Sequence, residues 1–412
     1  MLINYKKIKN KILKVRKEFP ILKKIIYKTY DLIYFDNAAT SQMPNNVIKI
    51  MNEYFNYYNA NIHRGLNYLS NDATIAYERT RKMVCKSINA KYKEEVIFTK
   101  GTTESINLVS NSYGKLLKKG SEILISIMEH HSNIIPWKNL ATNKGLKLKI
   151  IQVKENGLID IKNFKQLLTN KTNLVVITHV SNVLGITNPI KILSKIVHKK
   201  KALILLDGAQ SFSHKKIDVQ KLQIDFYVFS SHKSYGPTGV GILYVRLEIL
   251  NNMDPWQYGG DMVKYFSFLK NKIIYSELPY KFEAGTQTIC NIIAYYSSLK
   301  WLTKNLNLIK IWEKLLVYFL LKNLKKIKKL HIIGKSNKVS VVSFFIEGIN
   351  SQDIGLVLDH YGIAIRTGNH CGQPILNNYG INTVCRISFA VYNNLEEINK
   401  FLIILQQLMK IF

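Results

Sequence analysis

Between residues 34 and 245, short runs rich in β-branched residues alternate with longer stretches of helical period, and this alternation leaves few folds open to the chain. Parallel strands can be joined only by a crossover long enough to hold a helix, so the pattern predicts a mostly parallel sheet covered by helices. The runs fall near residues 96–99, 122–127, 147–153, 174–178, 202–206, 226–229 and 241–245, giving a seven-stranded sheet uninterrupted by any Gly/Pro/Ser-rich linker. From about residue 290 the pattern changes to a helical region reaching 330, a β-rich stretch at 339–347, another helix, a loop and a closing helix at 395–409. The expectation is an α/β protein with a large domain over residues 31–290 and a smaller α+β C-terminal domain over 291–412. Residues 1–30 read as an amphipathic helix ahead of Phe19-Pro20.

At 412 residues with 47% hydrophobic and 21% charged side chains, the chain has enough apolar material for a sizeable core. Its longest uninterrupted apolar run, residues 315–321, is far short of a membrane-spanning helix. The net charge of +32 alone suggests a polyanion partner, nucleic acid or a membrane surface. Residue identity argues otherwise, because only seven of the 59 basic residues are Arg and the lysines are spread along the chain. Specific phosphate and base recognition favours the planar guanidinium fork. Four scattered cysteines (Cys85, Cys290, Cys371, Cys385) form neither a disulfide framework nor a paired metal motif, which fits a reducing cytoplasm. The N-terminal 30 residues lack Ser and a continuous apolar core, so neither a signal peptide nor a transit peptide is expected.

Polar clusters recur where strands end, the edge at which open α/β sheets bind ligands. They are Lys100-Gly101-Thr102-Thr103-Glu104, Glu129-His130-His131-Ser132-Asn133, His179-Val180-Ser181-Asn182, Asp207-Gly208-Ala209-Gln210 and Ser230-Ser231-His232-Lys233-Ser234. Gly101-Thr102-Thr103, between a strand and a helix, offers free backbone N–H groups and hydroxyls to a phosphate, or simply caps the helix. Asp207 follows a buried apolar run, so its carboxylate needs a cation, for which a protonated pyridine nitrogen would serve; capping the next turn is the alternative. Lys233 follows the apolar strand 226–229 among Ser230, His232 and Gly236, a setting that would desolvate its amine and make it a nucleophile toward an aldehyde. Together these groups describe pyridoxal phosphate. Near the C-terminus, Arg366-Thr367-Gly368-Asn369-His370-Cys371-Gly372-Gln373-Pro374 is a glycine-flanked loop in which His370 and Arg366 could stabilise a Cys371 thiolate. Arg386 is a candidate fork for a substrate carboxylate or one half of a structural ion pair.

These segments, with Tyr34-Phe35-Asp36-Asn37-Ala38-Ala39-Thr40, Ile62-His63-Arg64-Gly65 and Phe282-Glu283-Ala284-Gly285-Thr286, resemble the Suf-type, or group II, cysteine desulfurases over nearly the whole length. Those are fold-type I pyridoxal phosphate enzymes related to selenocysteine lyases. The resemblance implies that Lys233 binds the cofactor aldehyde, His130 stacks on its ring and moves protons, Asp207 pairs with the ring nitrogen and Gln210 contacts the ring hydroxyl. Thr102, Thr103, Ser230 and His232 would hold the phosphate, with Thr286 reaching it from the other subunit of a homodimer. Asn182, Arg386, His63 and Arg366 would bind substrate, and Cys371 would take sulfur from L-cysteine and pass it to an acceptor protein for iron–sulfur cluster assembly. No metal, specific nucleic acid or membrane is expected, and residues 1–30 would pack with the small domain. The chain departs from the family pattern at Asn369 and Gly372, where a histidine and an alanine are usual, and at Asn67, where a histidine is frequent. Selenocysteine lyase or related aminotransferase activity, and from another class a basic nucleic-acid-binding protein, are the competing readings.

Overall fold

The computed structural model describes residues 2–411, with side-chain surroundings for residues 8–410. Strands form at all seven apolar runs: β1 (Val96–Thr99), β2 (Glu122–Ser126), β3 (Lys147–Ile151), β4 (Thr172–Thr178), β5 (Leu203–Asp207), β6 (Phe226–Ser230) and β7 (Gly241–Val245). They make one sheet in the order β1-β7-β6-β5-β4-β2-β3. Strands β2 to β6 pair in parallel, whereas β7 runs antiparallel to both β6 and β1. The exception has a local cause: only residues 231–240 separate β6 from β7, too few for a crossover helix. Because β1 and β6 both run opposite to β7, the carboxyl ends of β1, β2, β4, β5 and β6 lie on one edge.

The runs read as continuously apolar because both faces of the sheet are covered. In β4, Leu174 and Val176 join one core while Val175 and Ile177 join another, and Leu205 and Leu206 of β5 divide the same way. The second of these cores continues from the large sheet into the C-terminal part of the chain.

There the 36-residue helix Ile289–Leu324 leads into a four-stranded antiparallel sheet. Its strands are β8 (Leu330–Ile332), β9 (Val341–Ile346), β10 (Arg366–Gly368) and β11 (Val384–Ser388), in the order β8-β9-β11-β10. Only β9 was anticipated as a strand. An exposed hairpin, Val263–Ser267 with Lys272–Tyr275, is also new relative to the sequence reading.

Near the N-terminus a helix does form, Leu2–Arg16, burying Ile12 and Val15. It ends with Arg16 Nη2 on Glu397 Oε1 at 2.7 Å, at the start of the closing helix Leu395–Ile411. The segment that follows runs along the small sheet. Ile33 and Tyr34 pair in parallel with Ile363 and Ala364, the Ser388 N–H donates to Phe35 O (2.7 Å), and the Ala38 N–H donates to Ser388 Oγ (2.8 Å). Residues 36–39 are thereby delivered to the edge of the large sheet where the polar strand ends converge.

Candidate active site

Gly101 leads from β1 into the 15-residue helix Thr102–Leu116, whose first-turn N–H groups point to the sheet edge. Ser230 Oγ, at the end of β6, accepts from Thr102 N–H (2.8 Å) and lies 2.6 Å from Thr102 Oγ1. Glycine is required on β7 beside this turn: a Cβ at Gly241 would stand 2.4 Å from Thr99 Oγ1 and 2.5 Å from Gly101 Cα. Thr102 is buried, Thr103 exposed and His232 half-buried, so hydroxyls, an imidazole and a positive helix end face one another. Burial, reinforced by the Lys233 charge, brings the His232 pKa down to about 4.

Deeper in, Asp207 ends β5 almost completely buried, and its carboxylate has one hydrogen bond among the described residues, from Ala209 N–H to Oδ1 (2.9 Å). Burial raises its pKa, while the Ala209 bond and the Lys233 charge oppose the shift. Lys233 sits in the turn after β6, and burial lowers the pKa of its amine, with Asp207 opposing and the two arginines Arg386 and Arg366 assisting. Gln210 donates through Nε2 to Ala38 O (2.6 Å). His130 follows β2; Ser132 N–H donates to its Nδ1 (3.2 Å), so Nδ1 is the unprotonated nitrogen and Nε2 carries the proton. Burial first, then the Lys233 charge, depresses the His130 pKa to about 4, leaving it neutral at physiological pH.

The small sheet supplies the opposite wall. Cys371 is half-buried in a loop held by its backbone: His131 N–H donates to Cys371 O (2.8 Å), Asn182 Nδ2 to His370 O (2.8 Å), and Cys371 N–H to Asn369 Oδ1 (3.0 Å). His370 and Cys371 both adopt the left-handed region, φ 52° and 54°. Arg386, 3% exposed, donates through Nη2 to Asp36 Oδ1 (3.1 Å) and through Nη1 to Asn182 O (3.3 Å). Both readings of Arg386 therefore hold a place, since it is ion-paired and also lines the cavity.

The cavity between these walls has a volume of about 360 Å³ and touches twelve of the fourteen site residues named from the sequence. Thr286 is exposed and lies outside it. His63 lies in a separate cleft of about 560 Å³, 3.5 Å from Glu78 and 3.9 Å from Asp261. Three contributors escaped the sequence reading as site residues. Asp36 meets its arginines across more than 300 residues, which no local pattern reveals. Ser132, two residues from His130, was legible by spacing. Buried Glu129 receives hydrogen bonds from Ser126, Asn133 and Thr178 N–H, bridging β2 to β4, and burial raises its pKa to about 8. Two of the unusual residues have structural work: Asn369 caps the Cys371 turn, and Asn67 Oδ1 caps the helix Tyr68–Ile88 through Ser70 N–H (2.9 Å).

The donor set fits pyridoxal phosphate. A buried carboxylate with one neutral hydrogen bond awaits a cationic ring nitrogen, a desolvated amine stands on the same cavity, and the glycine-lined helix start suits the phosphate. Comparison with known proteins agrees. The Aminotransferase class-V family model matches residues 33–401. A cysteine desulfurase of Wigglesworthia glossinidia brevipalpis is 42% identical over 394 residues, covering 95% of this chain and 96% of that protein. One from Escherichia coli (strain K12 / DH10B) is 41% identical over 397 residues, covering 96% and 97% respectively. The solved apo cysteine desulfurase of Thermococcus onnurineus NA1 matches with a TM-score of 0.92 at 37% identity, covering 97% of this chain and 98% of that one. The chain belongs to the aminotransferase class-V family and, within it, to the pyridoxal phosphate-dependent cysteine desulfurases.

Proposed function

We propose that Cys371 is the sulfur-accepting residue of a group II, Suf-type desulfurase that hands its sulfur to an acceptor protein for iron–sulfur cluster assembly. The observation carrying this reading is that Lys233, Asp207 and the Cys371 loop, from three distant parts of the chain, all line one cavity. When bound, pyridoxal phosphate supplies an aldehyde and an electron-withdrawing ring that together weaken the bonds around the amino acid's α-carbon. The residues do the rest. Lys233 presents an amine whose burial favours the neutral, nucleophilic form, and Asp207, on the same cavity, would hold the cofactor's ring nitrogen and favour its protonated form. Arg386, which lines the cavity and whose Nε has no hydrogen-bond partner among the described residues, takes the substrate carboxylate, with Asn182 and Arg366 beside it. His130, neutral and protonated on Nε2, relays protons. Cys371 Sγ forms an S–S bond with the substrate sulfur while the substrate's own Cβ–S bond breaks, its electron pair passing to the carbon fragment. The carbon fragment gains a proton and leaves as alanine, and a persulfide stays on Cys371.

We also propose a homodimer. Phe55, Tyr57, Leu66, Tyr68, Phe268 and Leu269 are exposed large apolar side chains, and Arg64 ties their two segments together through Asp261 (3.1 Å) and Val263 O (3.0 Å). Pairing there would bring His63 and Thr286 to the partner's cavity, which accounts for their distance from their own. Residues 31–290 then form the cofactor-binding unit, with 1–30 and 291–412 as the second unit, joined by the Arg16–Glu397 pair. Four free cysteines and the lack of any membrane-crossing helix among the described residues are consistent with a reducing cytoplasm.

The test is the visible spectrum of the purified protein before and after L-cysteine, with alanine and sulfide assayed. Lys233→Ala should be colourless, and Cys371→Ser should lose sulfide release from cysteine while keeping the colour. Sulfide release at the unmodified rate by Cys371→Ser refutes the assignment, and retained activity toward selenocysteine in that variant would mark a selenocysteine lyase instead.

A further inference from the structure

Arg366 of β10 and Arg386 of β11 are direct partners across an antiparallel pair, a placement in which like charges repel. Asp36 relieves that repulsion. Its Oδ1 accepts from Arg386 Nη2 at 3.1 Å and its Oδ2 lies 3.6 Å from Arg366 Nη1. Both arginines line the cavity and Asp36 does not, so the carboxylate stands behind the two guanidinium groups. Arg386 is 3% exposed, and its Nε makes no hydrogen bond among the described residues. Elsewhere the cavity is lined by Lys233 and Asp207, and by Lys100 beside Gly101 at the turn suited to the cofactor phosphate. The arginine wall thus holds two cations and one anion, leaving one uncompensated positive charge.

We propose that Asp36 is a specificity-determining positioning residue, which sets the charge of this wall so that amino acids with one carboxylate are favoured over those with two. This rests on the reading of Arg386 as the carboxylate-binding group. A single carboxylate uses up the surplus charge. A second carboxylate on the ligand meets no further free cation on this wall and loses hydration there without gaining a partner. Neutralising Asp36 frees a second cation and removes the discrimination.

Titration calorimetry of the holoenzyme with L-alanine and with L-aspartate reads this directly, as the ratio of the two dissociation constants. Asp36→Asn lowers the aspartate-to-alanine ratio by about tenfold or more, the scale of one unit charge at short range. Asp36→Glu keeps the unmodified ratio, and adding Arg366→Gln to Asp36→Asn restores it to within about threefold. Arg366→Gln alone, on a side chain that is half exposed, raises the ratio and carries the test if Asp36→Asn does not fold. A ratio within about twofold of the unmodified protein in Asp36→Asn, or in Arg366→Gln where that stands in, overturns the proposal. Arg386→Lys separates the two levels: if it leaves both affinities unchanged the carboxylate reading itself fails. If it weakens both while Asp36→Asn leaves the ratio alone, only the role of Asp36 fails.

Discussion

Strand β1 is an edge of the large sheet, yet its outward backbone groups are buried, and a pair of charged side chains satisfies them. Arg81 Nη1 donates to Val96 O (2.8 Å) and Phe98 N–H donates to Glu283 Oε1 (2.7 Å). The two side chains also join each other, Nη1 to Oε1 at 2.7 Å and Nη2 to Oε2 at 2.9 Å, with Tyr77 OH on Oε2 at 3.0 Å. Side-chain exposure is 0% for Arg81 and 2% for Glu283, so removing one partner strands a buried charge. Breaking such a pair costs about 3–5 kcal/mol. Glu78, 3.1 Å from Arg81 Nε, keeps part of that charge compensated. Glu283→Gln therefore belongs at the low end, about 3 kcal/mol, since the amide oxygen still accepts from Phe98 N–H. Glu283→Ala also orphans that N–H, adding about 1–3 kcal/mol. Urea unfolding followed by near-UV circular dichroism, on holoenzyme at one cofactor concentration, measures both. Because β1 leads directly into Lys100-Gly101-Thr102, cofactor release monitored by visible absorbance should come earlier in the same order, unmodified after Gln and Gln after Ala. Equal losses in the two variants, each below about 1 kcal/mol, would show that the edge is closed by other means.

Three further outcomes follow from the site. Gly241→Ala places a methyl carbon against the Gly101 backbone, so the affinity of apoenzyme for pyridoxal phosphate should fall by about tenfold or more, and an unchanged titration would deny that this contact shapes the phosphate turn. Ser132→Ala keeps the backbone N–H that fixes the His130 tautomer, so kcat should fall by less than about tenfold, whereas His130→Ala should lose about a hundredfold or more; equal losses would contradict the tautomer assignment. The third outcome concerns acid stability. Burial depresses His130 to about 4 and His179 and His370 to about 3, so the unfolded chain takes up protons first as pH falls below its ordinary 6.5. Stability from these groups is present above 6.5 and lost toward 3–4, at about 1.4 kcal/mol per group per pH unit. Glu129, raised from 4.5 to about 8, works the other way, contributing below 4.5 and fading as pH rises to 8. His179→Gln should therefore flatten the rise in the urea midpoint between pH 5 and pH 7, and a variant whose midpoint changes with pH as steeply as the unmodified protein's would refute the assignment.

The large sheet was legible because both its faces are buried, which makes each strand a compact apolar run such as Leu203–Asp207. The direction of β7 was not, since it depends on the length of one connection and not on the strand's own residues. Strands β8 and β10 were hidden for a different reason: three residues, one of them an exposed arginine or histidine, carry no period. The site was legible where chemistry follows a strand end directly, as with Asp207 and Lys233. It was illegible where a partner arrives from a remote segment, as with Asp36 on Arg386 and Glu283 on Arg81.

The Cys371 loop is moored by peptide groups, through His131 N–H and the Asn182 amide, while no hydrogen bond among the described residues engages the thiol. Such anchoring separates where the sulfur sits from which side chains surround it. Asn369 is exposed, and substitution there alters the outer surface of the loop while those two moorings stay in place. Position 372 is tighter. A Cβ there would come within 2.5 Å of Val183 Cγ2, so an alanine would press on the segment that carries Asn182. Glycine at that point lets the loop close down on its mooring, and the neighbouring surface at Asn369 is left free to vary.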